Sequence, residues 1–287
     1  MKRAGFIDLH THGAGGYDTR TTDPGDILRI AELHGRAGTR AVLPTIYSGS
    51  TEQMRLNMEA VSRAKQMKAR AGAAVILGVH LEGPFLNPGR CGAQDRNSVA
   101  RPSITVLKKL LEGYETLVKL ITIAPEMPGA LKVIEKCADA GIRVNMGHSD
   151  ATYRQAIEGK KAGASGITHL FNAMRPFHHR EPGIAGLGLI DEDLYAEVIA
   201  DGFHLHPGTL GLIFGCKRHD RIILVSDSVK GSRRQGKPVY NREGSLAGSG
   251  ITLKDSLSLL GNMGVGQRAI TDAAIDNPRE YLGLNKI

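Results

Sequence analysis

The stretch Val75-Ile76-Leu77-Gly78-Val79-His80-Leu81-Glu82 is apolar almost without interruption until it ends in a carboxylate. A strand wetted on one face alternates apolar and polar residues, whereas a strand covered on both faces reads as a continuous apolar run. The run therefore predicts a strand buried in a parallel sheet, with an acid at its C-terminal end. Arg221 to Asp227, with Ile222-Ile223-Leu224-Val225 at its centre, repeats the pattern far along the chain. Working outward, similar short runs occur at Phe6 to His10, Thr39 to Thr45, Leu117 to Ala124, Ile142 to His148, Gly166 to Leu170 and Ala196 to Asp201, which brings the total to eight. Helix-compatible stretches lie between or after them, including Pro24 to Ala37 behind Asp23, Thr51 to Ala71, Ser103 to Glu112, Leu253 to Gly261 and Gly266 to Ala274. This alternation is the α/β class and predicts a (β/α)8 TIM-like barrel, which typically needs about 250 residues. The 287 residues show no internal repeat, low-complexity tract or linker, so residues 1–287 are expected to form one barrel domain.

Hydrophobic residues at 41% and charged residues at 23% suit a folded core and exclude disorder as the default. The formal charge of +8 comes from scattered Lys and Arg without a dense basic run, so no nucleic-acid partner is expected. Cys91, Cys137 and Cys216 lack the spacing of a zinc ribbon or a redox pair, which fits a reducing, cytoplasmic compartment. Near the N-terminus the apolar residues Phe6, Ile7 and Leu9 are broken by Asp8, too short a stretch for a signal peptide, and no segment reaches the length of a membrane span. Lys230 to Gly250, rich in Gly, Ser, Arg and Lys, is expected to be a mobile excursion.

Histidines and acids fall at the C-terminal ends of successive strands: His10 and His12 at the first, Glu82 at the third, His148 at the fifth, His169 in the sixth, His204 after the seventh and Asp227 at the eighth. A parallel barrel gathers those ends around one mouth, the face on which such barrels build their sites. Alternate residues of a strand share a face, so His10 and His12 are expected to turn two imidazoles toward the axis. Each residue alone has a plainer reading, as a packed histidine pair, a hydrogen-bonded core histidine or an ion-paired carboxylate. Burying all of them together is costly unless a metal or mutual pairing compensates.

Several segments carry a family resemblance: Gly5-Phe6-Ile7-Asp8-Leu9-His10-Thr11-His12-Gly13, His80-Leu81-Glu82-Gly83-Pro84-Phe85, Ala124-Pro125-Glu126, Gly147-His148-Ser149-Asp150-Ala151, Thr168-His169-Leu170-Phe171-Asn172-Ala173-Met174 and Ser226-Asp227-Ser228. With His178-His179-Arg180-Glu181-Pro182-Gly183, Ala200-Asp201-Gly202-Phe203-His204 and Leu246-Ala247-Gly248-Ser249, they run in family order across essentially the whole chain. On these segments the chain resembles the N-acetylglucosamine-6-phosphate deacetylases of the amidohydrolase superfamily.

Position by position, the resemblance implies Glu82, His148 and His169 as ligands of a principal divalent metal, zinc or iron. It implies His10 and His12 as ligands of a second cation that Glu82 helps bridge, giving one or two cations per subunit. Such a metal lowers the pKa of bound water from about 15.7 toward roughly 7. Asp227 is the implied acid/base, taking that water's proton and delivering it to the departing amine. His204 is the first implied donor to the carbonyl and Gln94 the second; some members carry His at the Gln94 position, which leaves the division between the two open. Asn172, the backbone N–H of Ala173 and Arg180 are the implied phosphate contacts, Arg180 by its planar fork. In the family this arginine comes from the neighbouring subunit of a homodimer.

The expected reaction is hydrolysis of the acetamido group of N-acetylglucosamine 6-phosphate to glucosamine 6-phosphate and acetate, in amino-sugar catabolism. Two alternatives stand beside it: a deacetylase of N-acetylgalactosamine 6-phosphate or another N-acyl substrate, and a non-catalytic phosphosugar-binding barrel. The family's small β-sandwich domain, built from segments flanking the barrel, is expected to be absent.

Overall fold

In the computed structural model, residues 5–232, 238–241, 244 and 246–284 are described. Residues 233–237, 242, 243 and 245 of the expected Lys230 to Gly250 excursion lie outside the described residues. Eight parallel strands follow in chain order around the sheet: β1 (Phe6–Thr11), β2 (Thr39–Tyr47), β3 (Val79–Glu82), β4 (Val118–Ile123), β5 (Arg143–Met146), β6 (Gly166–Ile167), β7 (Tyr195–Ile199) and β8 (Ile222–Val225). The last strand returns to the first. The Asp227 N–H donates to the His10 carbonyl at 2.9 Å and the His12 N–H to the Ser228 carbonyl at 2.7 Å, which closes the barrel at the rim.

Helices α1 (Pro24–Arg36), α2 (Thr51–Gln66), α3 (Ile104–Leu111), α4 (Ala130–Asp139), α5 (Tyr153–Lys161), α6 (Gly183–Ile190), α7 (Pro207–Cys216) and α8 (Leu253–Asn262) accompany the strands. Asp23 caps α1 as the sequence predicts, its side chain accepting from the Gly25 N–H at 2.8 Å. The second helix ends at Gln66, short of Ala71. The final helical stretch is split into α9 (Gln267–Thr271), a π-turn (Asp272–Asp276) and α10 (Asn277–Tyr281).

Most apolar side chains pack between the strand ring and the helices, where Ile27, Ile30, Met54, Val79, Val144 and Leu224 are fully buried. A second cluster combines Ile7, Leu9, Ala41, Leu43, Leu120, Ile199, Ile223, Val225 and Tyr281. Its members come from β1, β2, β4, β7 and β8, so it fills the barrel interior, and Tyr281 of α10 belongs to it. Above it lies a polar floor. His80 meets the Thr122 hydroxyl at 2.9 Å, Thr122 meets Thr168 at 2.7 Å, and the Asn145 amide donates to Glu197 at 2.8 Å.

Two expectations need correction. The run from Val75 to Glu82 is two strands, Val75–Ile76 and β3, interrupted at Leu77 and Gly78. A Cβ at Gly78 would stand 2.3 Å from the Leu117 carbonyl oxygen, so the chain passes its neighbour there too closely for a side chain. The sixth strand ends at Ile167, so His169 lies beyond it rather than within it. His148 and Asp227 are likewise two residues past the ends of β5 and β8.

Candidate metal-dependent active site

These short overruns position the chemistry. His148, His169 and Asp227 take φ of 48°, 27° and 46°, and Phe171 and Ala173 share the region at 74° and 50°. Left-handed backbone is costly for residues other than glycine and persists where surrounding structure enforces it. Here it turns each side chain back over the barrel mouth just after its strand ends. Gly147 allows the turn before His148, since a Cβ there would lie 2.8 Å from the Thr168 Cβ. Glu126 braces the same loop, accepting from the Ser149 hydroxyl at 2.7 Å, the Asp150 N–H at 2.6 Å and the Asn87 amide at 2.8 Å.

Four imidazoles and two carboxylates converge. Glu82 Oε1 lies 3.0 Å from His148 Nε2, 3.1 Å from His169 Nε2 and 3.3 Å from His10 Nε2, while Glu82 Oε2 lies 3.2 Å from His12 Nε2. Asp227 Oδ1 stands 3.5 and 3.6 Å from the Nε2 atoms of His10 and His12. The two histidines of the first strand bring those nitrogens within 3.2 Å of each other, although the strand shifts register between Asp8 and Thr11. Two sets of donor atoms thus form, Glu82–His148–His169 and His10–His12–Asp227.

The donor chemistry fits divalent cations. His10 Nδ1 faces Glu197 Oε2 at 3.1 Å, His12 Nδ1 faces the Thr45 carbonyl at 3.1 Å, and His148 Nδ1 faces the Arg90 carbonyl at 2.9 Å. All three partners are acceptors, so in the neutral ring Nδ1 carries the proton and Nε2 presents a lone pair. Lone pairs then face lone pairs and carboxylate oxygens, which is unfavourable without a positive charge among them. Ligands bound to one tetrahedral zinc at about 2.0–2.1 Å stand about 3.3 Å apart, near the spacings seen here. His169 Nδ1 is buried with no partner among the described residues.

Burial opposes protonation of His10, but the Glu82 and Asp227 carboxylates and the Glu197 hydrogen bond hold its ring well above the ordinary histidine range. Burial pushes Glu82 up, yet His148, His10 and His12 outweigh it and hold its carboxyl well below the usual range. Burial likewise works against a charge on His148, but Glu82 raises it overall, whereas burial lowers His169.

A cavity of about 440 Å³ opens above these groups, lined by His12, Glu82, Gln94, His148, His169, Asn172, Ala173, His204 and Asp227. The Gln94 amide donates to Glu82 Oε2 and its oxygen accepts from the Ser48 N–H at 2.8 Å. His204 Nδ1 pairs with Asp201 Oδ2 at 2.7 Å, which leaves Nε2 as its remaining polar atom. Burial works against the Asp201 charge, but the His204 pair and two backbone N–H donors lower its pKa overall.

Two wall residues escaped the sequence reading. Tyr47, at the end of β2, stacks on His12 with ring centroids 3.7 Å apart, and the Arg20 guanidinium lies 3.8 Å above the Tyr47 ring. The sequence reading ends this strand at Thr45, two residues short of Tyr47, and Arg20 follows a short ribbon (Gly13–Ala14 with Tyr17–Asp18) that no pattern revealed. Arg180 does not reach the cavity of its own chain. It is exposed and contacts His179 Nε2 at 2.9 Å. The far end of the expected excursion does not stay outside: Leu246, Ala247 and Gly248 line the cavity, and the Ala247 N–H donates to the Val239 carbonyl at 2.7 Å.

Known proteins are similar to this chain in sequence and in fold. Residues 1–239 match the amidohydrolase family profile. An N-acetylglucosamine-6-phosphate deacetylase of Lysinibacillus sphaericus is 34% identical over 277 residues, covering 96% of this chain and 70% of the relative. An N-acetylgalactosamine-6-phosphate deacetylase of Escherichia coli O157:H7 is 32% identical over 281 residues, covering 97% and 72%. A point mutant of the Mycobacterium smegmatis N-acetyl-D-glucosamine-6-phosphate deacetylase, solved in complex with N-acetyl-D-glucosamine-6-phosphate, superposes with a TM-score of 0.89 at 29% identity, over 98% of this chain and 77% of that one. The chain spans roughly two thirds to three quarters of the length of these relatives. It belongs to the amidohydrolase family and, within it, to the N-acetylglucosamine-6-phosphate deacetylase group.

Proposed function

We propose that this protein hydrolyses the acetamido group of N-acetylglucosamine 6-phosphate to glucosamine 6-phosphate and acetate, with residues 1–287 serving as one catalytic unit in the cytoplasm. The observation that carries the reading is the convergence of Glu82, His148, His169, His10, His12 and Asp227 at the floor of one cavity. Glu82, His148 and His169 would hold the principal cation, zinc or iron, and His10, His12 and Asp227 a second. When bound, a divalent cation supplies Lewis acidity and an acidified water.

The chain's own residues do the rest. Asp227 accepts the proton of the attacking water as its oxygen bonds to the acetyl carbon, then returns it to the nitrogen as the C–N bond breaks, so the amine leaves neutral. His204 polarises the carbonyl. The Asp201 carboxylate, 2.7 Å from Nδ1, orients the ring so that Nε2 faces the cavity. Gln94 orients Glu82 and is the second candidate donor.

Asn172 and the Ala173 N–H receive the phosphate from the cavity wall. Arg180 completes that contact from the partner of a homodimer; the half-exposed Phe177 and Leu212, which line one surface depression, supply apolar surface for such a contact. Free Cys91, Cys137 and Cys216 agree with a reducing compartment, and no helix among the described residues is long and apolar enough to cross a membrane.

The similarity to an N-acetylgalactosamine-6-phosphate deacetylase makes the epimer the second reading. Acetate release by zinc- or iron-supplemented protein is measured with both phosphorylated epimers and with unphosphorylated N-acetylglucosamine. Release confined to the glucosamine phosphate ester is expected. Preference for the galactosamine epimer transfers the assignment to it, equal turnover of the unphosphorylated sugar removes the phosphate contacts, and no release from any of them leaves a binding barrel.

A further inference from the structure

Glu197 is 1% exposed in the barrel interior, where an isolated carboxylate is costly. Both its oxygens are engaged: Oε1 accepts from the Asn145 amide at 2.8 Å and Oε2 faces His10 Nδ1 at 3.1 Å. Asn145 is oriented in turn, because the Tyr281 hydroxyl donates to its oxygen at 2.5 Å. The chain of bonds therefore has one direction, from Tyr281 through Asn145 to Glu197, with His10 donating into the same carboxylate from the other side. Glu197 can only accept, so the His10 proton is fixed on Nδ1 and its Nε2 lone pair is aimed at Glu82 and Asp227.

His10, His80 and Glu197 also bring ligand atoms within 4.8 Å of one another. They do not make a further cation site, because both His80 nitrogens are occupied, Nδ1 by the Leu9 carbonyl at 3.2 Å and Nε2 by the Thr122 hydroxyl at 2.9 Å. The contrast with the other rings is informative. His12 and His148 are backed by neutral carbonyls, and only His10 among the four has a carboxylate behind it among the described residues. The extra negative charge is thus directed to the His10–His12–Asp227 set.

We propose that Glu197 is a positioning residue for the second cation, fixing the His10 tautomer and adding buried negative charge behind that site alone. The inference rests on the reading of His10, His12 and Asp227 as a second cation site. Metal-free protein and the Glu197→Gln variant are titrated with cobalt(II), following visible absorption and bound metal per chain, with urea unfolding as a control. Wild type is expected to take up two cations. In the variant the tighter cation is unchanged and the weaker one loses roughly 10- to 100-fold in affinity, by the usual effect of removing such a partner.

Equal loss at both sites, no loss at either, or uptake of only one cation by wild type overturns the inference. If the variant does not fold, nitrogen-15 spectra of metal-free wild type, taken at a pH high enough for the His10 ring to be neutral, decide: a neutral ring protonated on Nδ1 supports the inference and one protonated on Nε2 overturns it. None of these readouts uses substrate, so failure here leaves the deacetylase reading standing, and wild type that binds two cations without releasing acetate fails that reading alone.

Discussion

Asp227 allows chemistry and architecture to be separated by two substitutions. Its backbone is held at φ 46° by its N–H to the His10 carbonyl at 2.9 Å and by its carbonyl, which accepts from the Ser249 N–H at 2.8 Å. Asparagine tolerates this left-handed geometry about as well as aspartate, whereas alanine does not. Asp227→Asn should therefore keep the turn, and Asp227→Ala should be less stable than Asp227→Asn by on the order of 1 kcal/mol. Neither retains a group able to take and return a proton. General acid–base catalysis contributes roughly 10²- to 10⁴-fold, so kcat should fall by that factor in both, about 3 to 5 kcal/mol in the barrier. Acetate release at saturating zinc gives kcat, and urea unfolding gives stability. Saturation matters because Asp227 Oδ1 also lies 3.5 Å from His10 Nε2, and its charge contributes to cation affinity. An Asp227→Asn enzyme retaining more than about a tenth of wild-type kcat would refute its role as acid and base.

Hybrid dimers test the reach of Arg180: mixing inactive Arg180→Ala and Asp227→Asn chains through unfolding and reassembly should restore roughly a quarter of wild-type activity, since about half the dimers are mixed and each has one complete site. No recovery would place Arg180 in its own chain's site or outside recognition altogether. Chelation should abolish turnover and lower the thermal midpoint, with both restored by zinc, because bound metal stabilises only the folded chain; full activity after metal removal is verified would end the metal assignment. Lys217 is 3% exposed, and burial pulls its pKa down to about 8. Unfolded lysine binds its proton up to about pH 10.4, so the folded state binds fewer protons in between and stability rises as pH goes from about 8 to 10.4, by at most about 3 kcal/mol. Urea unfolding of Lys217→Met should lack that rise, and an unchanged slope would show that Lys217 does not cause it.

How legible the site was varied with the distance over which each residue acts. Glu82, His148, His169, His10, His12 and Asp227 could be found because parallel strands must end at one mouth, so strand-end position is itself a spatial coordinate. Their backbone could not be read, as the sixth strand shows by ending before His169. Glu197, Asn145 and Tyr281 were invisible for a different reason. Each is an ordinary residue of a strand or helix, and its meaning comes only from hydrogen bonds between positions 52 and 136 residues apart. Arg20 and Tyr47 were missed because an arginine in a loop is ordinarily solvated and a tyrosine at a strand end ordinarily packs.

By itself the sequence determined the class of fold and the chemical inventory. Continuous apolar runs require strands buried on both faces, the stretches between them require helices, and family segments in order name the groups that surround the mouth. Only the tertiary structure decided which nitrogen of each ring faces the others, since the tautomers of His10, His12 and His148 are set by acceptors on other strands and loops. It also decided that Leu246 to Gly248 fold over the cavity while Arg180 stays outside it. Local sequence fixes what a residue can donate or accept, but a hydrogen bond is made with whatever the barrel brings within about 3 Å, and that partner is written elsewhere in the chain.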